Sequence, residues 1–148
     1  AIDPASGGPV VDAYGRTSDP TIFAAGNLLR PVETAGWCWA EGRRVAQSVL
    51  ADLDVGGPAP SDMVRIAAGA GIKYVVPQQF GRYDYTRALS DLQVHVTDPV
   101  RGRLELHAGD KLVWSQRLVS GPERRILVPI ADLAIPASLS DLTLSIGR

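Results

Sequence analysis

Between Gly56 and Pro60 the chain reads Gly-Gly-Pro-Ala-Pro. This run can continue neither a helix nor a ladder, because proline lacks an amide hydrogen and glycine loses the most backbone entropy on ordering. The hydrophobic period changes across it. Upstream, apolar residues recur at helical spacing; downstream they alternate at spacing two. The expectation is an α+β protein: a first unit over residues 1–55, a linker over 56–62 and a strand-rich unit over 63–148.

With 148 residues, 45% of them hydrophobic, there is material for one ordinary core or two small ones. Fifteen Lys and Arg against sixteen Asp and Glu, with no long run of either sign, argue against a nucleic-acid surface or an anionic membrane, both of which need clustered positive charge. Cys38 alone excludes an internal disulfide, and with only His95 and His107 beside it no metal centre is expected. No apolar run approaches the ~20 residues of a membrane helix. The opening, Ala1 to Pro9, has neither an initiator Met nor a basic and apolar leader and reads as part of something longer.

In order, Val10-Val11 is one rung of a ladder ending at Asp12, and Ala13 to Pro20 is a turn around Gly15. Thr21-Ile22-Phe23-Ala24-Ala25 has no polar face and reads as a strand covered on both sides, as in a parallel α/β sheet. Gly26-Asn27 closes it, and a helix is expected from near Glu33 or Thr34, with Thr34 as N-cap, to near Asp54. On that helix Cys38, Gly42, Val45, Ala46, Val49 and Leu53 form the expected buried stripe. Glu41, Arg44, Ser48 and Asp52 form the expected surface, with Glu41 beside Arg44 as an ordinary exposed pair. Gly42 in the stripe implies close approach to the sheet.

Beyond the break, strands are expected at 63–67, 72–76, 92–97, 103–107, 112–118, 126–130 and 142–146, separated by turn signals such as Ala108-Gly109-Asp110. Seven short alternating strands are the pattern of an antiparallel β-sandwich. A long loop, Pro77 to Ser90, is expected to tuck Phe80, Tyr83 and Tyr85 against its edge. His95 and His107 fall on outward positions and read as solvated. Gly69-Ala70-Gly71 precedes a strand instead of joining strand to helix, so it is no dinucleotide loop.

On physical grounds, an apolar strand ending in Gly-Asn before a helix start offers a ligand close backbone approach and unpaired N–H groups carrying about half a positive charge. The residues are more particular than that. Thr17-Ser18-Asp19-Pro20-Thr21-Ile22-Phe23-Ala24-Ala25-Gly26-Asn27 resembles the second flavin-binding motif of the FAD-dependent pyridine nucleotide-disulfide oxidoreductase superfamily, T-x-x-P-x-[IL]-[FY]-A-x-G-D. Upstream, Gly8 to Asp12 resembles the strand before that motif. Downstream, Glu33-Thr34-Ala35-Gly36 and Glu41-Gly42-Arg43 resemble the helix packed beneath the flavin ring.

The resemblance implies that residues 1–55 are the C-terminal piece of an α/β, Rossmann-like FAD-binding domain, followed by the β-sandwich. It implies that Gly26 admits the cofactor and that Asn27, in place of the family's Asp, holds a ribityl hydroxyl, with Leu28 beside them. The N–H groups at Thr34 and Ala35 would face the C2 carbonyl of the isoalloxazine ring. FAD is then the expected cofactor and NAD(P)H the expected co-substrate of a cytoplasmic oxidoreductase. The partner is the remainder of its own FAD/NAD(P)-binding chain, with a homo-oligomer possible. The glycine-rich fingerprint for the ADP end of FAD is absent from this sequence, as is a redox-active cysteine pair. No catalytic residue is therefore expected here, and the isolated chain should be inactive. The alternative is a non-enzymatic β-sandwich module that mediates subunit or partner contacts.

Overall fold

The computed structural model describes residues 1–55, 63–81 and 88–147. The expected linker at 56–62, together with Arg82, Tyr83, Tyr85 and Arg87, lies outside the described residues. One long helix, α1 (Ala35–Val55), precedes eight strands: β1 (Met63–Ala68), β2 (Ile72–Val76), β3 (Gln79–Gly81), β4 (Asp91–Val96), β5 (Val100–Ala108), β6 (Lys111–Ser120), β7 (Ile126–Pro129) and β8 (Asp141–Gly147). Among the described residues the chain is thus α+β, one α-helix with strands in two sheets.

The larger sheet has the order β3-β1-β8-β5-β6 and the smaller one β2-β4-β7. Alternation dictates which side chains meet between them. Val64, Ile66, Leu104, Leu106, Leu142 and Leu144 from the first sheet share one apolar cluster with Ile72, Val75, Leu92, Val94, Val96 and Val128 from the second. Two expectations need correction. The ladders are not all antiparallel: β1 runs parallel to β8, Arg65 opposite Asp141 through Ala68 opposite Leu144. The stretch from Pro77 is not all loop either, because Gln79–Gly81 pairs with β1 and Phe80 enters the shared core.

The N-terminal residues build no sheet of their own. Thr21 to Ala25 was expected as a covered strand; instead Phe23 makes an isolated bridge to Arg16, Ala24 N donates to Gly15 O at 2.8 Å, and Ile22 is 54% exposed. With no neighbouring parallel strand among the described residues, this apolar run folds back on its own turn. The rung at Val10 to Asp12 does form, against the other half of the chain: Asp12 bridges Gln79 in parallel, Gln78 N donates to Val11 O at 3.1 Å, and Val11 N donates to Gln78 Oε1 at 3.0 Å. A second apolar cluster, Val11, Ala24, Leu29, Tyr74, Val76 and Leu89, fastens the N-terminal segment to β2.

Helix α1 begins where expected. Thr34 Oγ1 accepts from Trp37 N at 3.3 Å, and Thr34 O accepts from Cys38 N at 3.0 Å. Its buried face, however, is displaced one residue, about 100°, from the apolar stripe. Glu41, Val45 and Ser48 are buried, and Asp52 Oδ1 takes Arg16 Nη2 at 2.7 Å. Val45 lies against Gly15, whose φ of +82° and lack of a side chain admit it. Trp39, Ala46, Leu50 and Leu53 face outward, and a methyl group at Gly42 would meet nothing within 4 Å. Gly42 is thus not a point of contact with a sheet. Among the described residues, no helix is long and apolar enough to cross a membrane.

Candidate functional site

The residues singled out by sequence converge on one loop and one helix start. Gly26 opens a single 3-10 turn, Gly26–Leu28, at φ +68°. An added methyl group there would meet Cys38 Cβ and Sγ at 3.2 Å, so glycine lets this turn lie against α1. The Gly26 N–H donates to Glu41 Oε1 at 2.7 Å. Asn27 Oδ1 accepts from Glu33 N at 2.6 Å, which closes the loop and leaves the side-chain amide nitrogen unused. Leu28 is exposed, as are Thr34, Ala35 and Gly36. Beyond the capped turn, the Ala35 and Gly36 N–H groups have no partner among the described residues. Open space lies beside Gly36, while Leu28 and Val32 present apolar surface at 64% and 89% exposure.

Beneath this surface lies a polar lattice that the sequence reading missed. Arg30 and Glu41 are fully buried and joined two-fold, Nη2 to Oε2 at 2.8 Å and Nη1 to Oε1 at 3.3 Å. Glu41 Oε2 also receives Gln93 Nε2 from β4 at 2.8 Å and Trp37 Nε1 at 3.3 Å. Burial pushes the Glu41 carboxyl upward, but hydrogen bonds from Arg30 and Gln93, the charge of Arg30 and the Gly26 N–H together bring it below its ordinary value. Glu41 is therefore no exposed partner of Arg44, as expected from sequence, but an ionised hub.

Glu33 forms a second hub. Its Oε1 takes Arg30 Nε at 3.1 Å and its Oε2 takes Arg125 Nη1 at 2.7 Å, while the Arg125 guanidinium lies 3.6 Å from the Trp37 ring centroid. Tyr74 Oη donates to Pro31 O at 3.2 Å, and burial raises its phenol above the usual value. His95 is only partly solvated: it stacks on Tyr74 with centroids 4.9 Å apart, and its Nδ1 lies 3.1 Å from Pro122 O. His107 is partly covered as well, with Nε2 at 3.2 Å from Glu105 Oε2. Cys38 is a free, half-buried thiol beside Gly26.

Arg30 and Glu41 carried one signal that could have been read. They are a cation and an anion on either side of a helix start, with the anion four residues beyond Trp37 on the same face. Gln93 and Arg125 carried none, because their contacts with this loop arise only in the tertiary fold.

Clefts lie elsewhere among the described residues. One of about 660 Å³ runs between Asp3, Pro4 and Ala5 and the β1 and β8 strands. Another of about 360 Å³ is lined by Asp12, Arg16 and Thr17. Neither is lined by Gly26, Asn27, Leu28, Thr34 or Ala35. Of these five residues Gly26 is buried, while Asn27, Leu28, Thr34 and Ala35 are exposed. The helix start offers the N–H groups of Ala35 and Gly36 to an acceptor such as a carbonyl oxygen. No protein-family model, curated protein or solved structure matches the chain.

Proposed function

We propose that this chain is the C-terminal portion of an FAD-dependent, NAD(P)H-linked oxidoreductase, in which residues 1–55 supply the flavin-end wall of the cofactor site and the two-sheet unit, a β-sandwich in this reading, follows it. One observation carries the reading. The start of α1 presents the unpartnered N–H groups of Ala35 and Gly36 on an open surface flanked by exposed Leu28 and Val32, and a buried ion pair fixes it behind the Gly26 turn.

When bound, FAD supplies the hydride-accepting ring; the chain's own residues bind and orient it. The N–H groups at the helix start, with the positive end of the helix dipole behind them, would stabilise negative charge on a carbonyl oxygen of the ring. Asn27 offers a ribityl hydroxyl its amide nitrogen as donor, because its oxygen already serves Glu33 N. Leu28 and Val32, both exposed, would give a bound ring apolar cover. The remainder of a cytoplasmic FAD/NAD(P)-binding chain supplies the adenosine site. The outward stripe of Trp39, Ala46, Leu50 and Leu53 supports that division, since a helix that buries its polar face and exposes its apolar one has surface left to cover.

The same stripe favours the second reading, a non-enzymatic module that docks on a partner through α1. Asn27 separates the two. Asn27→Asp keeps an oxygen for Glu33 N and adds a second for a ribityl hydroxyl, so flavin affinity of the complete enzyme should hold or rise. Asn27→Leu should weaken it about tenfold, the equivalent of one hydrogen bond. Unchanged affinity and spectrum in both variants would remove Asn27 from the cofactor site, and a complete protein without flavin would favour the docking module.

A further inference from the structure

We infer that Gln93, Tyr74 and Arg125 are positioning residues through which the three-stranded sheet holds the Gly26 to Thr34 loop and the start of α1 in place. The two-sheet unit is then part of the candidate site's machinery and not an appendage. The inference rests on the flavin reading only for the identity of the ligand; the mechanical claim concerns this chain alone.

Three separate connections reach the loop, all from one sheet. The first runs from β4: Gln93 Nε2 donates to Glu41 Oε2 at 2.8 Å, and Glu41 Oε1 holds the Gly26 N–H at 2.7 Å. The second starts immediately before β7: Arg125 Nη1 binds Glu33 Oε2 at 2.7 Å, and the Glu33 N–H is held by Asn27 Oδ1 at 2.6 Å. The third comes from β2, where Tyr74 Oη donates to Pro31 O at 3.2 Å. The two residues expected to meet the ribityl chain, Gly26 and Asn27, are thus each one residue removed from a side chain of the sheet.

The sheet braces these donors in turn. Gln93 is opposite Val76 on β2 and Leu127 on β7, so its register is set from both sides. The Tyr74 ring stacks on His95, whose Nδ1 approaches Pro122 O three residues before Arg125. Glu41 and Arg30 are fully buried, and a charged group in that position is held by geometry that tolerates little displacement. The five-stranded sheet contributes none of these bonds, and its exposed Arg65–Asp141 pair, 2.7 Å apart, supplies a control at a comparable distance.

The test compares Arg125→Gln, Arg125→Lys, Gln93→Asn and Arg65→Gln in the full chain, with cooperative melting required of each. Amide hydrogen exchange is read at Gly26 and Glu33, and flavin affinity is read in the complete flavin-loaded enzyme. Arg125→Gln should speed exchange at Glu33 roughly tenfold and Gln93→Asn should do the same at Gly26. Arg125→Lys should recover much of the protection, and Arg65→Gln should change neither site. Flavin affinity should fall with the protection and return in Arg125→Lys. Unaltered exchange in both Arg125→Gln and Gln93→Asn overturns the inference, and so does faster exchange with flavin bound as tightly as before. If the wild-type enzyme binds no flavin while exchange responds as stated, the positioning stands and the flavin reading falls.

Discussion

Arg30 and Glu41 form a two-fold ion pair with no exposure of either side chain, and the same carboxylate holds the Gly26 N–H. Two opposite charges removed from water are tolerable only while both are present. Glu41→Gln leaves the buried guanidinium with Glu33 alone as counter-charge, and roughly 2–4 kcal/mol of stability should be lost in a denaturant titration. Replacing both by apolar residues, Arg30→Met with Glu41→Leu, should cost clearly less than the two single changes summed.

Asp12 gives the pH dependence a definite sign. Burial, opposed by the Arg16 N–H and charge and assisted by the Asp52 charge, raises its carboxyl from 3.8 to about 6. A raised carboxyl means the folded state holds a proton that the unfolded chain has released. Between pH 4 and 6 the folded form therefore gains stability as pH falls, and above about 6 it carries the cost of a buried charge, about 3 kcal/mol for a shift of this size. Asp12→Asn keeps an oxygen for the Tyr14 and Arg16 N–H groups. Its stability minus that of the wild type should rise across this window and level off above it, measured by melting at fixed ionic strength.

Two glycines should respond in opposite directions. Gly26 has φ +68° and Cys38 at 3.2 Å from any added methyl, so Gly26→Ala should cost roughly 1–2 kcal/mol. Gly42 lies in the interior of α1 with open space beside it, so Gly42→Ala in the isolated chain should add about 0.5–1 kcal/mol by restricting the unfolded state. Thermal unfolding of the two variants side by side decides it.

Most strands could be read from the sequence because alternation reports one buried face: the seven expected segments fall on β1, β2 and β4 to β8, each within a few residues of its bounds. The strand β3 was too short to alternate visibly, and parallel pairing of β1 with β8 leaves no local trace. Helix α1 could be read as an element but not in orientation. Periodicity assumes that the apolar face is the buried one, whereas Glu41 and Ser48 face in and Leu50 and Leu53 face out. The expected strand at 21–25 failed for a related reason, since a short run without a polar face becomes a covered strand only when other strands flank it. Within the candidate site, Gly26 and Thr34 could be read from backbone chemistry alone. The Glu33 and Glu41 hubs could not, because Arg125 and Gln93, which complete them, lie more than fifty residues away.

The outward stripe of α1 carries its own expectation. Leu50→Lys and Leu53→Lys remove apolar surface at 64% and 77% exposed positions. They should leave the unfolding free energy of the chain within about 0.5 kcal/mol while lowering any self-association seen by sedimentation. A loss of several kcal/mol would mean that the stripe is already covered within the folded chain.

The central claim, that this chain supplies the flavin-end wall of an FAD site, is tested most directly by visible flavin absorption of the purified protein with and without the region encoded upstream. The same spectra should be taken of Ala35→Pro, which removes one N–H from the first helical position at little cost to the helix. The account expects flavin in the longer protein only, bound roughly tenfold more weakly in Ala35→Pro. Absence of flavin from both lengths would contradict it.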